Sequence, residues 1–210
     1  MAEEMGEHKV AEIPEFRVKY NDVFSLRNLY MMMRLTLLAE GWKGSGGEED
    51  GSDFEIYYSE NIFQKAGHRG GKEMWVYWRL NKDFGPANRA NAYFKEYLDI
   101  DMHMVYMADV EMVHMGKKMM AQKGEIEIFF RPYLKGDMEG KWGKHPFLRH
   151  LRPVYEDRFM RVEIEKKEKD LWREAYRIQN TVKQYLELRN FAAIPQEQFF
   201  ARRLGYEGSV

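Results

Sequence analysis

The chain has 210 residues, 44% hydrophobic and 32% charged, with a formal net charge of −1. That composition builds a folded domain and excludes a disordered chain, and the near-neutral balance excludes bulk electrostatic attraction to nucleic acid or anionic membrane, leaving only local patches. The absence of cysteine excludes disulfides, thiol catalysis, thiolate metal sites and iron–sulfur clusters.

Residues 1–15 read as an acidic arm. Glu3, Glu4, Glu7, Glu12 and Glu15 outweigh Lys9, and Pro14 ends the segment. This is the opposite of a signal peptide. The most apolar run, Leu29 to Ala39, is interrupted by Arg34 and falls short of the roughly 20 residues a bilayer span needs. The chain therefore reads as cytoplasmic. Phe16, Val18 and Tyr20 alternate as in a short edge strand. Asn21, Asp22 or Ser25 can cap a helix to about Glu40, which Gly41 ends. Its apolar residues Leu26, Leu29, Tyr30, Met33, Leu37 and Leu38 recur at helical spacing and predict packing on a sheet.

Lys43 to Ser52 reads as an acidic loop. Strands are predicted over 54–63 and 74–80, joined by a glycine-rich turn, Gly67 to Lys72, which lacks phosphate-loop spacing. Further strands are predicted at 98–107, 110–115, 117–122 and 125–134. Their connections are short, so neighbours must be antiparallel. A two-residue turn at Ala108-Asp109 would set His103 opposite His114, with Asp99 and Asp101 on the His103 face. Two imidazoles and a carboxylate such as Asp101 can hold a metal. Strand alternation already explains these polar residues, so no metal and no cofactor is expected. The 15 methionines suit an adaptable core.

Gly136 to Pro146 forms a basic turn. Lys141, Trp142, Lys144, Arg149 and Arg152 make the one basic patch interleaved with aromatics, a candidate nucleic-acid contact. From Phe147 the period becomes helical, with a break expected at Pro153. A helix from about Val154 to Leu188 would be roughly 50 Å long at 1.5 Å per residue. Leu171, Ala175, Ile178, Val182 and Tyr185 form a heptad-like stripe on it, read as an oligomer interface. The tail, 191–210, carries Phe199, Phe200 and Leu204 on a short terminal helix, read as part of the same interface. No Gly-x-Ser-x-Gly, no His-Glu-x-x-His and no strand-linked Gly-x-Gly-x-x-Gly occurs, so hydrolase triads, zinc proteases and dinucleotide folds find no support.

The segments Gly70 to Leu80 (Gly-Gly-Lys-Glu-Met-Trp-Val-Tyr-Trp-Arg-Leu), Asp109 to Lys118, Lys123 to Ile128 and Gly140 to His150 (Gly-Lys-Trp-Gly-Lys-His-Pro-Phe-Leu-Arg-His) resemble an uncharacterised family of small archaeal proteins, known mainly from reduced, symbiotic lineages. The resemblance covers roughly residues 16 to 190. It implies an archaeal or archaeal-virus setting and transfers no active site.

The sequence thus predicts an α+β fold: an N-terminal helix packed on an antiparallel meander β-sheet, then long C-terminal helices. It divides into the arm at 1–15, a helix-plus-sheet domain at 16–146, a helical segment at 147–190 and the tail at 191–210. The leading function is a non-enzymatic structural or assembly protein that forms a homo-oligomer. The alternatives are a nucleic-acid-binding module using 141–152 and, behind it, a metal-dependent enzyme.

Overall fold

Two long runs of alternating residues dominate the structure. In the computed structural model, which describes residues 8–45, 53–63, 71–84, 92–114, 117–138 and 140–187, they form one hairpin. The strands are β1 (His8–Glu12), β2 (Phe16–Phe24), β3 (Lys43–Gly44), β4 (Glu55–Phe63), β5 (Gly71–Asp83), β6 (Phe94–His114) and β7 (Lys117–Gly136). The helices are α1 (Leu26–Ala39), α2 (Leu148–Tyr155) and α3 (Arg161–Tyr185), with a π-helical turn at Glu156–Met160 between the last two.

All strand pairs are antiparallel. β4, β5, β6 and β7 follow one another as a meander, and β3 also pairs with β5. The N-terminal strands β1 and β2 return to the far side of β7. The predicted α+β class with an antiparallel sheet and a long C-terminal helix is therefore found. Its detail needs correction, because the first helix follows two strands. Part of the expected arm, His8–Glu12, is a strand of the sheet. The tail with Phe199, Phe200 and Leu204, the turn at 67–70 and most of the acidic loop lie outside the described residues.

The four strands predicted between 98 and 134 are two. Ala108-Asp109 is not a turn, because β6 runs straight through it. Val105 pairs with Glu125 and Ala108 with Lys123, so Tyr106 and Met107 together face Gly124, and Tyr106 has φ of 56°. This is a β-bulge. Glycine flanks it on both sides for a steric reason. A Cβ on Gly71 of β5 would lie 2.8 Å from Tyr106 Cα, and one on Gly124 of β7 would lie 2.6 Å from Met107 Sδ. Beyond the bulge β5 has ended and β2 pairs no further than Phe24 with Gln122, so among the described residues the end of the hairpin is a two-stranded ribbon.

Up to the bulge, even-numbered residues of β5, β6 and β7 face the helices. Val76, Trp78, Leu80, Leu98, Ile100, Met102, Met104, Ile126, Ile128 and Phe130 are buried there. From α1 they meet Leu29, Met33 and Leu37, and from α3 Leu171, Ile178 and Val182. Ser25 caps α1 by accepting the Asn28 N–H, and Gly41 just past its end has φ of 86°. Tyr185 closes the layer, donating its hydroxyl to the Ser25 carbonyl at 3.0 Å. Pro153 does not break the helix as expected. It lies inside α2, and the chain continues through the π turn into α3.

Candidate functional site

The open face of the sheet carries the odd-numbered residues. In the register, His103 lies between Trp75 on β5 and Glu127 on β7. Its ring stacks on Trp75 with centroids 3.7 Å apart, and its Nε2 is 2.9 Å from Glu73 Oε1. Asp101 is buried beneath two arginines, bonded by Arg79 Nη1 at 2.6 Å and by Arg131. Burial pushes the Asp99 carboxyl up against the opposing pull of Arg79 and Arg131. The cross-strand pairing of His103 with His114, which a turn at Ala108-Asp109 would have made, is not formed. His103 and His114 sit on one strand, 114 − 103 = 11 residues apart, or roughly 36 Å at 3.3 Å per residue. The bulge that replaces the turn is the reason. Among the described residues no cluster of three or more His, Asp or Glu is arranged to hold a metal ion.

A second constellation was not read from the sequence. Glu174 of α3 reaches into the sheet, and its Oε1 accepts from Trp42 Nε1 and from Lys82 Nζ, both at 2.7 Å. Glu96 is 4% exposed beside them. Burial, with a smaller contribution from Glu174, pushes its carboxyl up to about 7. Lys167 is buried too, its ammonium 3.3 Å from the centroid of the Phe84 ring, and burial lowers its pKa. One signal was available. Lys82 shares the parity of Val76, Trp78 and Leu80, and Glu96 that of Phe94, Leu98 and Ile100, so both had to point inward.

The basic turn has an internal organiser. Asp137 is buried, with φ of 57°, and its carboxylate accepts the backbone N–H groups of Trp142 at 3.1 Å and Gly143 at 2.6 Å. Trp142 stacks on Tyr155 at 4.4 Å and is thereby engaged in the fold. Arg152 is half-buried, whereas Lys141, Lys144 and Arg149 are exposed. Phe147, 65% exposed, is the free aromatic among them. Behind the turn, Glu156 lies 2.9 Å from His8 Nε2 and accepts the Tyr93 hydroxyl at 2.5 Å. Burial acts to raise the Glu156 pKa, but these two partners outweigh it and hold the carboxyl low.

The apolar stripe assigned to an oligomer interface has another place. Leu171, Ala175, Ile178 and Val182 are buried in the chain's own core, and Tyr185 packs at its margin. A different stripe faces outward: Phe147, Leu151, Val154, Phe159 and Val162. Its spacing is 4, 3, 5 and 3. An unbroken α-helix would put Arg158 in line after Val154. The π turn holds one extra residue per turn and brings Phe159 there instead. Phe159 and Val162 are 74% and 76% exposed. Further apolar exposures lie on the outer side of α1 (Met31, Leu35, Leu38) and along β4 (Ile56, Tyr57, Tyr58, Ile62).

Among the described residues no helix is long and apolar enough to cross a membrane. No protein-family model and no curated protein matches the chain. Among solved structures, an uncharacterized protein from Rhizobium leguminosarum aligns over 84% of this chain and 95% of its own, at 8% identity and a TM-score of 0.20, a likeness that carries no argument about fold or function.

Proposed function

We propose that this is a non-enzymatic, cytoplasmic assembly protein that forms homo-oligomers, and that its principal contact is the outward stripe Phe147, Leu151, Val154, Phe159 and Val162. The observation that carries the reading is the exposure of five large apolar side chains in one line, kept in line by the π turn. Contiguous apolar surface of this kind marks interaction sites, and each such side chain contributes roughly 1.5–3 kcal/mol when fully buried. The resemblance to small archaeal proteins adds a setting to this reading and no activity.

The test is sedimentation or light scattering across a concentration series. The wild type is expected to exceed the mass of one chain. Phe159→Asp combined with Val162→Asp is expected to return it to a monomer with unchanged circular dichroism, because both positions are solvent-facing. A wild type that stays monomeric at high concentration would sink the proposal.

The basic turn supports a second reading, nucleic-acid binding. Here Phe147, not Trp142, is the ring free to stack, flanked by exposed Lys141, Lys144 and Arg149. Binding of a labelled oligonucleotide that weakens steeply with salt and disappears in Phe147→Ala would favour this alternative.

A further inference from the structure

We infer that β4 pairs with β4 of a second copy of the chain, antiparallel, about a two-fold axis at Ser59, so that two sheets become one. This rests on the reading that the protein self-associates, but it uses a surface separate from the helical stripe.

The first support is the contrast between the two edges of the sheet. A free edge strand offers a row of unpaired N–H and C=O groups, and proteins that stay monomeric guard it with lysine, proline or a covering element. The β2 edge is guarded. It carries Arg17 and Lys19, and Gln179 of α3 donates its Nε2 to the Arg17 carbonyl at 3.3 Å. β4 pairs with β5 on one side, and among the described residues nothing pairs with its other side. Its sequence, Glu-Ile-Tyr-Tyr-Ser-Glu-Asn-Ile-Phe, contains no lysine, arginine or proline. Ile56, Tyr57, Tyr58 and Ile62 are all exposed on it.

The second support is self-complementarity. Ser59 is the midpoint of β4, and past the irregularity between Glu55 and Tyr57 the strand is regular. Over the regular stretch that starts at Tyr57, pairing about Ser59 sets Tyr57 against Asn61 and Tyr58 against Glu60 of the second copy, with the bulged Ile56 and Ile62 at the two ends of the seam. No carboxylate then faces a carboxylate. Centring the axis on Glu60 would oppose two glutamates, a destabilising cross-strand pair. Glu60 also meets its new neighbour already compensated, holding Lys72 Nζ at 2.9 Å and the Tyr58 hydroxyl at 2.8 Å. A two-fold between antiparallel strands keeps each face on its own side. The helices of both copies would lie on one side, and the Trp75–His103 face would run on unbroken across the pair.

The absence of native cysteine makes the test clean. Ser59→Cys places two thiols across the axis, where directly opposed Cβ atoms lie about 4.5–5.5 Å apart, near the span of a disulfide. Under mild oxidation at micromolar protein, most of the Ser59→Cys chain is expected to form a reducible covalent dimer. Lys169→Cys, an exposed helical control, is expected to cross-link at least tenfold less. Adding Ile56→Lys and Ile62→Lys should suppress the Ser59→Cys dimer about tenfold without changing circular dichroism. Adding Phe159→Asp and Val162→Asp should leave it intact, which separates this contact from the helical one. Cross-linking no greater than the control overturns the inference, as does a dimer indifferent to the two lysines. So does a monomer whose β4 edge amides resist hydrogen exchange, since part of its own chain would then cover the strand.

Discussion

Replacing Ile178 by Asp is expected to abolish folding. Ile178 is 1% exposed and belongs to the cluster that joins α3 to α1 and the sheet. The new carboxylate would be desolvated without a partner, and the neighbouring stripe residues Leu171, Ala175 and Val182 offer it none. Domains of this kind are stable by only about 5–15 kcal/mol, and an unpaired buried charge consumes a large part of that. The milder Ile178→Ala should cost about 2–5 kcal/mol through lost transfer energy and the cavity left behind. Asn180→Asp, on the exposed side of the same helix, should stay within about 0.5 kcal/mol of the wild type. Urea unfolding followed by circular dichroism distinguishes these variants. If Ile178→Asp stays folded and only loses mass in solution, the inward stripe is an intermolecular contact after all.

Replacing Glu96 by Gln is expected to stabilise the protein above neutral pH and leave it nearly unchanged in acid. Burial first, and the neighbouring Glu174 second, raise the Glu96 carboxyl from 4.5 to about 7, against the opposing effect of Lys82 and Lys167. Below about pH 4.5 the acid is neutral in both folded and unfolded chains, so its ionisation costs nothing. Between 4.5 and 7 the unfolded chain gives up its proton more readily than the folded one. Stability therefore falls as pH rises through that window, by about 1.4 kcal/mol per unit and roughly 3 kcal/mol in all. Glutamine keeps the shape and removes the titration. The difference in unfolding free energy between Glu96→Gln and wild type should thus be near zero at pH 4 and reach roughly 3 kcal/mol at pH 8. A flat difference across that range would show that Glu96 is solvated or paired as an anion.

The elements that could be read from the sequence were those with local signatures. The cap at Ser25, the stop at Gly41 and the 3.6-residue period between them define α1 without outside help. Alternation over 99–107 and 124–131 likewise marked one buried and one open face on β6 and β7. Where the reading failed, the deciding contact lay on another strand. Ala108-Asp109 has the polarity of a turn, yet the chain continues because Gly71 and Gly124, distant in sequence, make room for a bulge at Tyr106. The α3 stripe was legible as apolar, but periodicity does not say whose surface it meets. The cluster around Glu174 joins Trp42, Lys82 and Glu96 from three other segments, so only the parity of the last two hinted at it. Phe159 could not be placed on the outward face without the π turn, since regular spacing assigns that position to Arg158.

The hairpin beyond the bulge has a consequence for how the molecule opens. Up to Val105 and Glu125, each strand of the hairpin is held on both flanks; past Ala108 and Lys123 the two soon have, among the described residues, only each other. A lone pair of strands is marginally stable in water. The ribbon therefore separates without lifting a helix from the core. Its amides should exchange through local openings of low free energy, while those of Ile100 and Ile128 wait for the whole domain to unfold. The same chain carries two clocks, and the bulge at Tyr106 marks where one gives way to the other.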